Sequence, residues 1–251
     1  MILIILILHF TRMSLEVLKV KDIKSKVHKL DKKLKDPLPK HAFLMLLIAP
    51  PRSGKSALIA NLIANPNFYN GVEYWDNIYY CSPTQDFDNT TKKYLKKMDN
   101  VIQISEHSDL VHLESILKDV IDKQKELDEK KEEKERILII LDDCVGYMDK
   151  NEALANLCTR YRHYGISIII TSQQYRKIPL MIRNCAGHIM FFKLNNSKEL
   201  DKIDDEFGGN YSSDFLALAH HCTDKKYDFC YLDNENMKMY HNFDTLVLDA
   251  S

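Results

Sequence analysis

Residues 42–56 constrain the fold of this chain more than any other segment. The apolar run 42–48 has the length of a β-strand, and its lack of alternation is typical of a strand covered by helices on both faces. Two prolines and a glycine lead from it to Lys55 and Ser56. Apolar side chains then recur at helical spacing until Asn65 and Pro66 stop the pattern. The segment predicts a strand, a loop and a helix.

Short apolar runs continue along the chain at 78–81, 101–104, 137–141, 166–171 and 188–194. Helical or loop stretches separate them, and such alternation predicts βαβ units in an α/β fold with a mostly parallel sheet. Residues 110–136 are expected to form one helix. Its last part is almost wholly charged, which predicts an arm that projects into solvent.

The length of 251 residues fits one α/β domain with additions. We expect an N-terminal extension over 1–36 and the domain over 37–251, closed by a hairpin around residues 233–236. Residues 1–12 are apolar but too short to span a bilayer, so we expect no integral membrane span. They are best explained as an extension that precedes the start of translation at Met13. The alternatives are that they form a β-strand or a short anchor that contacts a membrane.

The charge balance argues against a general attraction to nucleic acid. Lys+Arg 35 against Asp+Glu 36 leave a net charge of −1, so any DNA contact must be local. Residues 14–41 are markedly basic, and they form either a solvated lead-in or a phosphate-contacting segment. The scattered cysteines predict buried free thiols. A zinc site is disfavoured at His220, His221, Cys222 and Cys230, because side chains that are adjacent in sequence rarely point at one ion.

The loop after the first strand matches the phosphate-binding pattern GxxxxGK[ST], except that alanine holds the first glycine position. Backbone N–H groups of such a loop cradle the β-phosphate, and a lysine charge faces the β- and γ-phosphates. The residues predicted to bind ATP in this way are Ala49, Pro50, Pro51, Arg52, Ser53, Gly54, Lys55, Ser56 and Ala57.

Two acids, Asp142 and Asp143, directly follow the apolar run 137–141. Asp142 is predicted to hold Mg²⁺ together with the Ser56 hydroxyl, because this ion prefers oxygen ligands and keeps part of its water. Asp143 is the candidate that orients or deprotonates the attacking water. The cofactors predicted from the sequence are therefore ATP and Mg²⁺.

Further candidates follow the run 166–171. Gln173 lies just past this strand, where open α/β sheets bind ligands, and can contact the γ-phosphate. An arginine reaching into a neighbouring subunit's site would meet charge that develops during phosphoryl transfer. Arg162 and Arg183 are the preferred candidates by motif position, ahead of Arg160.

Together these segments resemble the DNA-packaging ATPases of large nucleocytoplasmic DNA viruses, within the FtsK/HerA superfamily of P-loop NTPases. The likeness covers residues 40–195, and alanine at 49 departs from the usual glycine. It rests on the segments 44–56, 79–84, 138–143 and 162–173, and it extends through 178–184 and 189–193. The resemblance implies a RecA-like core with strand order 5-1-4-3-2 and helices on both faces.

The same resemblance implies an ATP-hydrolysing translocase that packages viral double-stranded DNA. It implies a homo-oligomeric ring, commonly a hexamer, and a capsid or membrane component as a further partner. The expected locations are the host cytoplasm, at the viral factory, and the virion. Two alternatives stay open from the residues alone: a P-loop nucleotide kinase, and an ATP-binding protein without turnover.

Overall fold

Strands and helices alternate along the chain as far as the seventh strand. The computed structural model describes residues 28–84 and 89–251. The strands are β1 Leu44–Ile48, β2 Asn77–Cys81, β3 Val101–Ile104, β4 Ile137–Asp142, β5 Ile166–Ser172, β6 His188–Phe192, β7 Phe229–Asp233, β8 Lys238–His241 and β9 Thr245–Asp249. The helices are α1 Lys55–Ala64, α2 Gly71–Tyr74, α3 Asn89–Leu95, α4 His107–Leu110, α5 Leu113–Glu129, α6 Glu152–Tyr164, α7 Leu180–Cys185, α8 Ser197–Phe207 and α9 Phe215–Cys222.

All described strands join one sheet, in the order β3-β2-β4-β5-β1-β6-β7-β8-β9. The strands from β1 to β6 pair in parallel, while β7, β8 and β9 are added antiparallel. The fold is thus mixed α/β with a large central sheet. The predicted strand, loop and helix around residues 42–64 are confirmed by β1 and α1.

The predicted order 5-1-4-3-2 is wrong for this nine-stranded sheet, and the sheet is parallel only over its first six strands. One reason is that β3 adds an edge strand beyond β2. The other is that residues 234–237 and 242–244 are too short for a crossover, so they impose antiparallel pairing of β8 with β7 and of β9 with β8. Without β3, the inner strands stand in the order β6-β1-β5-β4-β2.

Helices cover both faces of the sheet, and β1 shows why its sequence is apolar throughout. Leu44, Leu46 and Ile48 pack into the core on the face that also buries side chains of α5, α6 and α9. Met45 and Leu47 point to the opposite face, towards side chains of α1 and α2. Side chains alternate along a strand, so a strand between two helical layers needs apolar residues at every position.

The charged helix ends earlier than predicted. Helix α5 stops at Glu129, and the chain turns back at Lys131, whose φ is 57°. The buried Gln124 holds this return, because its Nε2 donates to Glu135 O at 2.7 Å and its Oε1 accepts from Glu135 N at 3.2 Å. Lys134 Nζ reaches the carbonyl of His163 at 2.6 Å. The predicted solvent-projecting arm is therefore wrong for residues 134–136, which lie against the domain, whereas residues 130–133 are exposed after the end of the helix.

Residues ahead of β1 also contact the domain. Asp31 is buried and accepts hydrogen bonds from Tyr74 Oη at 2.6 Å and from the Arg136 guanidinium at 2.7 Å. The division at residue 36 stays a prediction, although these bonds cross it. The predictions for residues 1–12, and for the first half of the basic segment, residues 14–27, lie outside the described residues. No described helix combines the length and the apolar character needed to cross a bilayer.

Candidate active site

The loop of residues 49–54 connects β1 to α1 along a tight path. Gly54 has φ 109°, a left-handed conformation that side chains disfavour. A Cβ at this position would also lie 3.2 Å from Cδ1 of Tyr227 and 3.6 Å from Cε1 of Phe192. The site thus requires glycine here for its backbone conformation, and the space around it is limited as well.

The start of α1 is built to accept an anion. Its first turn carries no acidic side chain, and among the described residues no side chain caps its N–H groups. Ser53 Oγ is buried without a hydrogen-bond partner in the described part of the chain. Unpaired N–H groups and the positive end of the helix dipole favour negative charge. The loop and helix together fit a phosphate group.

Lys55 lies beside both acids that follow β4. Its Nζ is 2.8 Å from Asp142 Oδ1 and also forms an ion pair with Asp143 Oδ2. Burial alone would lower the pKa of Lys55, but the two carboxylates outweigh burial and raise its pKa above the ordinary value. The predicted lysine and the predicted acids therefore form one cluster at one edge of the sheet.

The two acids have different surroundings. Asp142 is buried, and its oxygens accept from Tyr80 Oη at 2.7 Å and from Thr171 Oγ1 at 2.6 Å. These bonds fix the carboxylate in position. Asp143 is held by its backbone, whose N–H donates to Thr171 Oγ1 at 3.1 Å, and its side chain faces a cavity. One acid is thus locked and the other faces the space where a reactant can enter.

That cavity has a volume of about 690 Å³. Gln173 enters it directly after β5, with Nε2 3.5 Å from Asp143 Oδ2. It is lined by Ala49, Pro50, Pro51, Arg52, Gly54, Lys55, Ser56, Ala57, Asp143, Gln173, Lys226 and Tyr227. The parallel register that pairs β1 and β4 with β5 brings these strand ends to one edge.

Comparison with known proteins places this architecture in a family. The family described as Poxvirus A32 protein matches residues 31–206, which is more than half of the chain. The chain belongs to the poxvirus A32 family. This match covers the phosphate loop, both acids and Gln173, and it confirms the resemblance to viral DNA-packaging ATPases. No curated protein sequence matches the chain significantly.

Solved structures share the fold of this A32 family chain at low sequence identity. The DNA-packaging ATPase B204 from Sulfolobus turreted icosahedral virus is 16% identical with a TM-score of 0.58, over 79% of this chain and 95% of B204. The genome packaging NTPase B204 from Sulfolobus turreted icosahedral virus 2, in complex with ATP-γS, is 14% identical with a TM-score of 0.54, over 80% and 97%. The pCW3 conjugation coupling protein TcpA, with ATPγS, is 15% identical with a TM-score of 0.53, over 76% and 57%.

The oxygen donors at this A32 family site fit Mg²⁺. Ser56 offers a hydroxyl and Asp142 a carboxylate, the ligand types that this ion prefers. No group of three or more His, Cys, Asp or Glu side chains in residues 28–84 and 89–251 is arranged to hold a metal ion. A magnesium ion here would thus depend on water and phosphate oxygens in addition to protein ligands, which is its usual mode of binding.

Neither preferred arginine is brought to this cluster within the subunit. Arg162 lies in the last turn of α6, just before β5 begins, and so at the amino ends of the strands, opposite the phosphate loop. Its side chain is 63% exposed and pairs with Glu235. An exposed guanidinium on this edge can reach another molecule but not the cavity beside Lys55.

Arg183 is built into the core of the subunit. It is buried, and it donates to the two carboxylate oxygens of Glu206 at 2.7 and 3.1 Å. A third bond joins its Nη1 to Ile178 O at 2.7 Å. Reaching a neighbouring subunit would break these bonds, so the geometry supports a structural role for this arginine.

Three contacts of the site were not found from the sequence. Tyr80 belongs to a segment noted only for its resemblance, yet its hydroxyl holds Asp142. Lys226 and Tyr227 come from the loop between α9 and β7, and both line the cavity. No local pattern marks them, since only the return of the chain along β6 brings this loop to the phosphate loop.

Proposed function

We propose that this chain is an Mg²⁺-dependent ATPase that translocates viral double-stranded DNA into the capsid. One observation carries the proposal: Lys55 contacts Asp142 and Asp143 at the same sheet edge, beside a cavity that Gln173 also lines. Membership of the A32 family and the shared fold of B204, named as a DNA-packaging ATPase, support it. We further propose that the six parallel strands contain a RecA-like core.

In this proposal the loop of residues 49–54 and the start of α1 hold the triphosphate. Backbone N–H groups contact the β-phosphate, and Lys55 adds positive charge to the β- and γ-phosphates. Ser56 and Asp142 hold Mg²⁺, which when bound neutralises phosphate charge. The bonds from Tyr80 and Thr171 keep Asp142 from moving as charge develops.

Asp143 is the proposed acceptor for the proton of the attacking water. The water oxygen bonds to the γ-phosphorus, the bond from this phosphorus to the β–γ bridging oxygen breaks, and ADP leaves with that oxygen. The displaced water proton goes to Asp143, whose side chain faces the cavity. Gln173, 3.5 Å from Asp143, orients the water and reports whether the γ-phosphate is present.

The remaining parts of the proposal concern assembly. We propose a homo-oligomeric ring, most simply a hexamer, around the duplex, with a capsid or membrane component as partner. Arg162 is exposed and lies on the edge opposite the cavity, so a neighbouring copy can receive it. The proposed locations are the host cytoplasm, at the viral factory, and the virion.

The proposal is tested by measuring particle mass and ATP turnover together. The protein is incubated with Mg²⁺, a non-hydrolysable ATP analogue and duplex DNA, and its mass is recorded. A ring with several copies on one duplex and turnover stimulated by duplex DNA are expected. A monomer that transfers phosphate from ATP to a nucleoside monophosphate would instead identify a nucleotide kinase. Binding of ATP without turnover would identify a non-motor protein.

A further inference from the structure

A second cavity adjoins the first and is not needed for the triphosphate. Its volume is about 340 Å³, and it shares Pro50, Pro51, Lys226 and Tyr227 with the larger cavity. Its other walls come from the ends of β6 and from the loop before β7. The two spaces thus lie side by side at the phosphate loop, and a ligand held at the loop has both within reach.

The order of the strands decides which end of a nucleotide lies in each cavity. Asp143 and Gln173 follow β4 and β5, which lie on one side of β1. The strands β6 and β7 lie on the other side of β1, and the smaller cavity is found there. With its γ-phosphate beside Asp143 and Gln173, a nucleotide bound at the loop has its base towards β6 and β7.

Tyr227 presents an aromatic ring between the two cavities. Its side chain is 58% exposed, although Cδ1 comes within 3.2 Å of the Cβ position at Gly54. Lys226 Nζ lies 4.7 Å from the centre of the same ring. Phe192, at the end of β6, adds a second aromatic side chain to the smaller cavity. A flat apolar surface with cationic groups nearby is the combination that accepts a nucleobase attached to phosphates.

The loop that carries this ring is held at both of its ends. Tyr227 has φ 74°, a left-handed conformation that is unusual for an aromatic residue. On one side of it, Thr223 Oγ1 donates to Ala219 O at 2.9 Å. On the other side, Asp228 N donates to Lys225 O at 3.2 Å, and the Asp228 carboxylate is 2.9 Å from His241 Nε2. Both ends of the loop are therefore fastened to α9 and to the sheet.

We propose that Tyr227 stacks on the base of the bound nucleoside triphosphate and that Lys226 adds positive charge beside its phosphates. This inference rests on the proposed nucleotide site and names a residue that sets its preference for a nucleotide over a bare polyphosphate. The C-terminal loop thus completes a pocket that the phosphate loop begins. The base lies in the smaller cavity, against Tyr227 and Phe192.

The test compares ATP with inorganic tripolyphosphate, which has the phosphates but no base. Dissociation constants are measured calorimetrically with Mg²⁺ for the full chain and its variants. Tyr227→Ala is expected to weaken ATP binding by about 5- to 150-fold, the range for loss of one base–aromatic stack. Its affinity for tripolyphosphate stays within about twofold, because no base is lost. Tyr227→Phe and Tyr227→Trp keep the ring and retain ATP affinity.

Lys226→Gln tests the contribution of the lysine charge to binding separately from that of the Tyr227 ring. It is expected to weaken ATP and tripolyphosphate alike, and the loss shrinks as salt is raised. The matched control is Tyr94→Ala, because Tyr94 on α3 is also an exposed tyrosine, 43% accessible, and it lines neither of the two cavities. This control leaves both affinities unchanged, and thermal unfolding of every variant identifies any that fail to fold.

The outcomes separate this inference from the proposed function. Wild-type protein that binds neither ATP nor tripolyphosphate would overturn both. Wild-type protein that binds ATP no better than tripolyphosphate would overturn the base pocket alone. The pocket also falls if Tyr227→Ala weakens both ligands equally or neither of them, or if Tyr227→Phe behaves like Tyr227→Ala. Selective loss of ATP affinity in folded Tyr227→Ala supports it.

Discussion

Thr171 on β5 donates a hydrogen bond to Asp142 on β4, with 2.6 Å between Oγ1 and Oδ1. The two residues are direct partners in the parallel register, so the sheet itself brings the hydroxyl to the carboxylate. The same Thr171 oxygen accepts from Asp143 N–H at 3.1 Å. One threonine thereby positions both acids, the proposed metal ligand through its side chain and the proposed base through its backbone.

Thr171→Val should weaken the use of Mg²⁺ while the protein still folds. Valine keeps the shape and the strand preference but cannot orient Asp142. Groups that orient a metal ligand contribute about 10- to 100-fold to metal affinity or activity. We therefore expect the Mg²⁺ concentration for half-maximal ATP hydrolysis to rise, or maximal turnover to fall, within that range. Tyr80→Phe removes the other bond to Asp142 and should act in the same direction.

Thr159→Val is the matched control for these variants. Thr159 lies exposed on α6 and bonds only to nearby helix carbonyls in the described residues. Its Mg²⁺ dependence should equal that of wild-type protein. An unchanged Mg²⁺ dependence and turnover in folded Thr171→Val would show that the Thr171 hydroxyl does not position Asp142 for the metal.

Lys55→Ala and Asp143→Asn should separate binding from hydrolysis. Loss of the lysine charge is expected to weaken ATP binding by about 10- to 150-fold, the usual value of a hydrogen bond to a charged group. An asparagine in place of Asp143 keeps a polar side chain but cannot take a proton, so binding persists and turnover falls by about 10²- to 10⁴-fold. Calorimetry gives the first quantity and phosphate release the second.

The controls are Lys118→Ala and Asp119→Asn, both exposed on α5 and remote from the cavity. They remove the same chemical groups and should leave binding and turnover as in wild-type protein. The assignment of the site is wrong if the Lys55 and Asp143 variants turn over ATP as fast as these controls.

The strand, loop and helix around residues 42–64 were predictable because their signals are local. The apolar run of β1, the glycine at 54 and the lysine that starts α1 lie next to each other in the chain, and each has one physical interpretation. The acids required one further step, that parallel strands end at a common sheet edge. The structure places Asp142 and Asp143 beside Lys55 at that edge.

What the sequence could not provide depends on contacts between distant segments. The antiparallel pairing of β7 with β6 follows a long connection through α8 and α9, and no local pattern predicts it. Tyr227 reaches Gly54 only because this pairing brings the preceding loop to the phosphate loop. In the same way, the motif around Arg183 suggests a role in catalysis. Only its bonds to Glu206 on α8 show that it is part of a buried ion pair. The residue type alone does not show whether an arginine forms a buried ion pair or is exposed to solvent.

Arg183→Ala should destabilise the fold, whereas Arg162→Ala should not. Removal of Arg183 leaves the Glu206 carboxylate, 12% exposed, without its principal partner, and breaking such a buried pair costs about 3–5 kcal/mol. The exposed pair of Arg162 with Glu235 contributes less than about 1 kcal/mol. Urea unfolding monitored by circular dichroism measures both. Comparable losses in the two variants would contradict the structural role of Arg183.

Arg162→Ala should instead affect the assembled protein. If a neighbouring copy receives this arginine, turnover by the assembled ring falls by roughly 10³-fold or more, the usual effect of losing such a residue. The basal rate of unassembled protein should not change, since Arg162 lies at the opposite sheet edge. Arg160→Ala, two residues earlier and also exposed, is the control. Turnover of the assembled Arg162→Ala protein equal to that of wild-type protein would remove Arg162 from the mechanism.

A fall in pH should lower the free energy of unfolding, in part because of His41. Burial, assisted by the Arg136 charge and opposed by Asp31, lowers the pKa of His41 from 6.5 to about 3. The unfolded chain therefore binds a proton below pH 6.5 that the folded chain does not accept until about pH 3. Between these values this residue lowers the free energy of unfolding by up to about 1.4 kcal/mol for each pH unit of acidification.

His41→Gln should reduce that slope, because glutamine does not titrate and can still hydrogen-bond to Ser167 Oγ, now 2.8 Å from His41 Nδ1. The exposed His220 provides the control, and His220→Gln should keep the wild-type slope. Burial also lowers the pKa of His188, so some acid sensitivity persists in both variants. Urea unfolding at intervals from pH 7 to pH 4 measures the slopes. Identical slopes in His41→Gln and His220→Gln would mean that His41 titrates normally in the folded protein.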